Sequence, residues 1–245
     1  NKSVTAQETN QTGVFFKSDG TKMYVVGSAN DTVYQYSLST QWKVSTATYD
    51  SVSKSVTTED TTPTGLFFKS DGTKMYVVGS ANDSIYQYSL SSAWDLGTAT
   101  YASVSLSVAA QDTNPQNPFF KSDGTKMYVV GTATDAVYQY SLSSAWDLST
   151  AVYDSVSVAA QDSAASGLSF KSDGTQMLVL GAATDAVYQY SLSSAWDLST
   201  AVYDSVSFSV GAQDSAPTGL FLKSDSTQMY VVGSANDTIY QYSLS

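Results

Sequence analysis

Carboxylates recur at two fixed places along the chain, and they are the first candidates for chemistry. One set lies in short polar stretches between apolar runs: Asp31, Asp83, Asp135, Asp185 and Asp237. A second set lies in longer connecting stretches rich in Ser and Thr: Asp60, Asp112, Asp162 and Asp214, with Glu8 at the equivalent place near the N-terminus. Such oxygens could bind a carbohydrate or a hard cation such as Ca²⁺. Asp and Asn are also typical of tight turns and of soluble surfaces, so both interpretations stay open.

Four tryptophans recur in the same repeated pattern: Trp42, Trp94, Trp146 and Trp196. An exposed indole could stack on a sugar ring, which makes these residues ligand-binding candidates as well. Each tryptophan is followed two residues later by Val or Leu. This pairing favours packing, with the indole covering the outer end of a sheet.

The sequence offers little for catalysis or for a metal site. Histidine and cysteine are absent, so the usual general bases and nucleophiles are missing. Paired carboxylates could serve a glycosidase, but the same acids return in every copy, which predicts equivalent sites and not one catalytic centre. The D-x-D-x-D-G spacing of a Ca²⁺ loop does not occur. We therefore predict no catalytic residues, no metal, no cofactor and no enzymatic activity.

These candidates are positioned by an internal repeat. Its marker lysines are 52, 52, 50 and 52 residues apart: Lys17, Lys69, Lys121, Lys171 and Lys223. The five copies span residues 13–64, 65–116, 117–166, 167–218, and 219–245 together with 1–12. Residues 1–12 align with 53–64, so we expect them to complete the last copy. Each lysine is expected to pair with the Asp two residues later, although a ring of five lysines could also bind an anion.

Four strands are predicted in each copy, here for the first: Gly13–Ser18, Lys22–Gly27, Thr32–Leu38 and Thr48–Val56. Asp-Gly forms the first hairpin turn in four copies, whereas the fifth copy has Asp225-Ser226. A left-handed serine there costs roughly 1 kcal/mol relative to glycine. A fixed repeat of four-stranded units predicts an all-β, single-domain, five-bladed β-propeller over residues 1–245, closed by the N-terminal segment.

The first hairpin of each copy carries a recognisable motif, Lys-Ser-Asp-Gly-Thr-Lys-Met-Tyr-Val-Val-Gly in the first. It resembles the SPDGT-x-x-YV blade repeat of YVTN and lactonase-like propellers, which implies a propeller blade. Lactonase-like enzymes hold a metal with polar residues from different blades, and no such asymmetric set stands out here. The five-bladed layout is also similar to that of lectin propellers.

The negative net charge of the chain excludes some classes of binding partner. The formal net charge is −11, which argues against nucleic acid and against anionic membranes. We predict a monomeric, non-enzymatic, multivalent binding module for glycans or another protein, acting through repeated pockets between blades. The alternative is a structural or display domain of a viral fibre or large surface protein. The low lysine content, the absence of cysteine and the high Ser/Thr content together favour an extracellular or virion setting.

Overall fold

The computed structural model describes residues 1–244, which form five four-stranded antiparallel sheets. The innermost strands of the five sheets contact one another in a closed cycle, so the sheets surround an axis as blades. The predicted five-bladed β-propeller is confirmed. From the axis outward, the strands of a blade are called a, b, c and d.

The strands follow the chain through four blades and close on the fifth. Blade 1 has β2 (Gln11–Phe16), β3 (Lys22–Gly27), β4 (Thr32–Leu38) and β5 (Ala47–Ser55). Blade 2 has β6 (Pro63–Phe68), β7 (Lys74–Gly79), β8 (Ser84–Leu90) and β9 (Ala99–Ser107). Blade 3 has β10 (Pro115–Phe120), β11 (Lys126–Gly131), β12 (Ala136–Leu142) and β13 (Ala151–Ala159). Blade 4 has β14 (Ala165–Phe170), β15 (Gln176–Gly181), β16 (Ala186–Leu192) and β17 (Ala201–Ser209). Blade 5 has β18 (Pro217–Leu222), β19 (Gln228–Gly233), β20 (Thr238–Ser243) and, as its strand d, β1 (Lys2–Ser3).

A short 3-10 turn precedes strand d in blades 1 to 4: Val44–Thr46, Leu96–Thr98, Leu148–Thr150 and Leu198–Thr200. The sequence pattern did not predict these turns, because three residues are too few to show a helical period. Each turn begins with a buried Val or Leu, so it fixes the connector between strands c and d against the protein.

The N-terminal segment joins the last sheet, as expected. Lys2 and Ser3 pair antiparallel with Ile239 and Thr238. The backbone N–H of Val4 continues this ladder by donating to the carbonyl oxygen of Asp237 at 3.0 Å. The closure is short, because among residues 1–244 no strand pairs with the outer edge of β20 beyond Ile239.

The core lies between neighbouring blades. One cluster combines Tyr24 and Val26 of blade 1 with Phe68, Met75 and Val77 of blade 2. Because such contacts cover both faces of a blade, β3 is buried throughout except at its first residue, whereas β5 alternates between half-buried and exposed positions. Among residues 1–244, no helix has the length and hydropathy required to cross a membrane.

Candidate functional site

The two faces of the propeller carry different chemistry. On one face, the a–b turns and the c–d connectors surround an opening on the axis that we call the aromatic mouth. Its volume is about 780 Å³, including the part open to solvent. It is lined by Phe15, Phe16, Phe67, Phe68, Phe119, Phe120, Phe170, Phe221 and Leu222, by Trp42, Trp94, Trp146 and Trp196, and by Ser18, Ser70, Ser122, Ser172 and Ser224.

Each tryptophan lies between phenylalanines of two blades. Its ring centroid is 5.4–5.9 Å from the phenylalanine that ends strand a of its own blade. It is 6.2–6.5 Å from a strand a phenylalanine of the preceding blade. All eight ring pairs are stacked, with interplanar angles of at most 29°. The rings therefore form a nearly continuous aromatic belt, interrupted at blade 5.

The tryptophans pack as predicted, with Trp94 and Trp146 only 9% and 7% exposed, but they lie around the axis and not over the outer ends of the sheets. Every tryptophan has a positive φ of 63–66°, which turns the c–d connector back toward the axis. The backbone N–H of Trp42 donates to the carbonyl oxygen of Gly20 at 3.0 Å, so its indole lies over the a–b turn. A Cβ at Gly20 would lie 2.5 Å from that indole, which explains why glycine is used there.

Five ion pairs stand at the rim of the mouth, on either side of its serines. Lys17 contacts Asp19 at 2.7 Å, and the corresponding pairs in the other blades measure 2.7–3.3 Å. The predicted pairing of each lysine is thus confirmed. Partial burial raises the pKa of Asp19, but hydrogen bonds from Lys17 and Thr21 outweigh it and lower that pKa to about 2. Each pair is neutral near pH 7 while offering both donors and acceptors.

The predicted carboxylates lie on the opposite face. Asp60 is 1% exposed, and its carboxylate accepts hydrogen bonds from the backbone N–H groups of Thr62, Ala81 and Asn82 at 2.8–3.3 Å. Equivalent bonds are made by the other carboxylates of this set: Glu8, Asp112, Asp162 and Asp214. These side chains hold the b–c turns in shape and are not part of the site proposed below.

The b–c turn aspartates Asp31, Asp83, Asp135, Asp185 and Asp237 occupy the turns themselves, with φ of 47–53°. Asp is one of the few residue types that adopts this left-handed conformation readily, so turn geometry accounts for its repetition. Burial raises the pKa of Asp31 and of Asp83. Among residues 1–244, no three acidic side chains come together to hold a metal ion. The structure therefore separates the predicted carboxylates from the tryptophans.

The five-fold repetition fails at four positions in and beside the aromatic mouth, and the two in blade 4 were not recognised from the sequence. Ser169 stands where the other blades have Phe15, Phe67, Phe119 and Phe221, and Leu178 stands where they have Tyr24, Tyr76, Tyr128 and Tyr230. Leu222 and Ser226 similarly replace Phe and Gly in blade 5, which also has no tryptophan connector among its described residues. All four replacements lie in blades 4 and 5. Aligning the copies residue by residue would have shown this asymmetry.

No protein-family profile matches the sequence, and no curated protein is detectably similar to it. Solved structures do match. A protein of unknown function from Desulfotomaculum acetoxidans has a TM-score of 0.55 at 9% identity, over 95% of this chain and 68% of that one. The chain is also similar in fold to solved structures named as gluconolactonases. A candidate 6-phosphogluconolactonase from Bacteroides uniformis gives 0.55 at 13% identity, over 96% and 67%. The periplasmic gluconolactonase of Pseudomonas aeruginosa gives 0.52 at 12%, over 96% and 69%.

This likeness corrects one prediction. The prediction that the protein is not an enzyme is contradicted, because solved structures of the same fold include proteins named as gluconolactonases. At 12–14% identity the likeness itself establishes the fold alone. The lack of a cofactor, the glycan or protein partner, the monomeric state and the extracellular or virion setting stay predictions.

Proposed function

We propose that the aromatic mouth binds a carbohydrate, one molecule per chain, on the propeller axis. The observation that carries this proposal is the belt of stacked Phe and Trp rings beneath a ring of five serines and five Lys–Asp pairs. Ligand sites typically combine a mostly aromatic wall with a few polar groups that set orientation. The volume of about 780 Å³, part of it open to solvent, also suits a small ligand.

The chemistry of the mouth favours a neutral ligand with two kinds of surface. A pyranose ring has an apolar C–H face, which packs on aromatic carbon, and an equatorial rim of hydroxyl groups. Ser18 and its four equivalents can donate and accept hydrogen bonds from such hydroxyls. Because Lys17 and Asp19 neutralise each other, and the other blades repeat this pair, these ten side chains add no net charge to the rim although the chain carries −11.

The packing between blades supports one axial site over several repeated ones. The side chains that face neighbouring blades, such as Met23, Tyr24 and Val25, are completely buried. Interiors packed to this extent leave little room for a sugar between blade 1 and its neighbours, blades 2 and 5. The mouth is instead shared by all five blades, so its occupancy by one ligand excludes a second.

Hydrolysis of a sugar lactone is the second candidate function. The observation that favours it is the fold shared with proteins named as gluconolactonases. A sugar lactone has the same combination of a ring and hydroxyl groups as the proposed ligand, so it would use the same mouth. Hydrolysis then requires a group that activates water, and Asp19, with its pKa held at about 2, is a weak base.

A glycan array followed by calorimetry with the best ligand tests the proposal, with and without Ca²⁺. The variant Ser70→Arg/Ser122→Arg places two large side chains at the mouth, and both serines are exposed in the folded protein. Ala109→Arg, exposed in a d–a connector on the opposite face, is the matched control. We expect the double variant to lose binding by at least about tenfold, the factor that 1.4 kcal/mol represents, and the control to keep it.

The contrary results are also specific. If the wild type bound no glycan on a broad array, the structural or display role would be favoured and the proposal of carbohydrate binding would be contradicted. Retained binding in the double variant would place the ligand elsewhere. Turnover of glucono-δ-lactone by the wild type, lost in the double variant, would support the lactone candidate.

A further inference from the structure

An aspartate on strand d is held by three side-chain donors in blade 1. Oδ2 of Asp50 accepts a hydrogen bond from the ammonium group of Lys22 at 3.1 Å. The same oxygen accepts from the side-chain nitrogen of Gln35 and from the hydroxyl of Ser37, both at 2.9 Å. These donors lie on strands b and c, so the sheet itself sets their spacing. Blade 3 repeats the arrangement at 2.8–3.3 Å with Lys126, Gln139, Ser141 and Asp154.

The three donors favour an anion at this place. Burial raises the pKa of Asp50, but the hydrogen bonds from the three donors outweigh it and hold that pKa below its usual value. The pKa of Asp154 is lowered in the same way. Hydrogen bonds to an ionised oxygen are also stronger than those between neutral groups. Strands b and c of a blade therefore form a site for one carboxylate oxygen.

Blade 2 keeps the three donors and lacks the carboxylate. Lys74, Gln87 and Ser89 occupy the donor positions. Ala102 stands where blades 1, 3 and 4 have aspartate on strand d. The register shift between strands c and d falls at the same place in blades 1 and 2, so Ala102 lies where Asp50 lies in blade 1. The group that is missing from blade 2 is a carboxylate and nothing else.

The donors of blade 2 find no replacement anion in the described part of the chain. Gln87 is 5% exposed, and its side-chain oxygen accepts from the backbone N–H of Leu148 at 3.2 Å. Its side-chain nitrogen has no acceptor among residues 1–244. Lys74 donates to the carbonyl oxygen of Trp146 at 2.9 Å and forms no ion pair within the described residues. Ser89 is exposed, and its hydroxyl makes no hydrogen bond to any described residue.

We propose that blade 2 binds the carboxylate group of a ligand where Ala102 leaves space for it. One ligand oxygen accepts hydrogen bonds from the side chains of Gln87 and Ser89. Lys74 turns toward the same oxygen and pairs with it, as the lysines of blades 1 and 3 pair with their aspartates. Binding therefore supplies the buried amide of Gln87 with the acceptor that it lacks.

The turn of Lys74 leaves no carbonyl unsatisfied, and the space admits a defined group. When Lys74 moves, the carbonyl oxygen of Trp146 keeps the hydrogen bond from the hydroxyl of Tyr76 at 2.6 Å. Ala102 retains the Cβ of an aspartate, so the space corresponds to a carboxylate carbon and its two oxygens. The side chain of Asp50 is 18% exposed, so the equivalent space in blade 2 is accessible from solvent. A larger acid would therefore extend outward from the sheet.

The carboxylate belongs either to a free organic acid or to an acidic side chain of a polypeptide, since both present the same two oxygens. An NMR titration of the isotope-labelled intact chain with sodium formate tests the proposal, with sodium chloride keeping the ionic strength constant. We expect the side-chain amide of Gln87 to shift saturably, and those of Gln35 and Gln139 to stay unchanged. N-acetylaspartate N-methylamide is titrated in parallel. Tighter binding of this probe than of formate would assign the site to an acidic side chain, and the reverse to a free acid.

Two substitutions change the site in opposite directions. Ala102→Asp supplies the carboxylate from the chain itself, so we expect it to abolish the formate-dependent shift of Gln87 and to raise the melting temperature. Asp50→Ala is the matched variant, because it gives blade 1 the residue that blade 2 already has. It should create a second site, and the side-chain amide of Gln35 should then also shift with formate.

Lys74→Gln tests the charge of the site. Blade 4 already has Gln176 at this position, so the blade accommodates the substitution. We expect formate to bind about fivefold more weakly to this variant, the loss typical of a partly exposed ion pair. The absence of a saturable shift at Gln87 with either probe overturns the proposal. So does a shift that persists unchanged in Ala102→Asp, or formate affinity that Lys74→Gln leaves unaltered.

Discussion

The hydroxyl of Tyr24 in blade 1 donates a hydrogen bond to the backbone carbonyl of Trp94 in blade 2, at 2.6 Å. The pairs Tyr76–Trp146, Tyr128–Trp196 and Tyr230–Trp42 repeat it at 2.6–2.8 Å. Each bond ties strand b of one blade to the connector that shapes the mouth in the next. Leu178, the residue at this position in blade 4, has no hydroxyl and lines a cleft between blades 4 and 5.

Tyr76→Phe is expected to lower the free energy of unfolding by about 1 kcal/mol, because the Trp146 carbonyl loses the tyrosine hydroxyl and keeps only the hydrogen bond from Lys74 at 2.9 Å. Chemical denaturation of both proteins measures the change. Leu178→Tyr is the matched control and brings no comparable gain, since its hydroxyl meets no carbonyl. If Leu178→Tyr raised the free energy of unfolding by as much as Tyr76→Phe lowered it, burial of the ring and not the hydrogen bond would account for the stabilisation.

Ser226→Gly is expected to raise the free energy of unfolding by about 1 kcal/mol, because Ser226 adopts a φ of 58° that glycine adopts without strain. The converse change, Gly124→Ser, costs more, since its Cβ would also lie 2.4 Å from the indole of Trp146. Melting temperatures of the two variants check both signs. An unchanged or lower melting temperature for Ser226→Gly would contradict the assigned strain.

The Lys–Asp pairs at the rim predict a loss of stability in acid. Hydrogen bonds from Lys69 and Thr73, opposed by partial burial, lower the pKa of Asp71 from 3.8 to about 2. Because the folded pKa is the lower one, this stabilisation is complete above about pH 3.8 and disappears as the pH falls toward 2. Asp71→Asn should therefore melt below the wild type at about pH 5, and the difference should vanish near pH 2. A difference in melting temperature between Asp71→Asn and the wild type that did not change with pH would show that the stabilisation does not come from the charge of Asp71.

Much of the fold follows from the sequence. The predicted bounds of the second and third strands, Lys22–Gly27 and Thr32–Leu38, agree with β3 and β4, because a short apolar run between turn residues defines a strand locally. Closure by residues 1–12 also follows, because alignment with the next copy shows what they must complete. The strand bounds use information within one repeat, and the closure uses a comparison of two.

The site was harder to predict because it depends on directions that a repeat does not encode. Trp42 points to the axis only because its φ of 63° reverses the connector. A positive φ is uncommon for a bulky residue, so the sequence gives no reason to expect this conformation at a tryptophan. Asp60 was predicted to bind a ligand. In the structure its carboxylate accepts hydrogen bonds from backbone N–H groups, two of which belong to the following b–c turn. The sequence alone shows that Ser169 and Leu178 replace the Phe and Tyr of the other copies. Only the folded structure shows that Leu178 lines a cleft between blades 4 and 5.

The stoichiometry of carbohydrate binding tests the central claim most directly. Isothermal titration of the wild type with the best ligand from the array should give one site per chain, because the aromatic mouth is a single opening on the axis. The heat should disappear with Ser70→Arg/Ser122→Arg. Four or five equivalent sites per chain, unaffected by that double variant, would contradict the account and return the binding to pockets repeated between the blades.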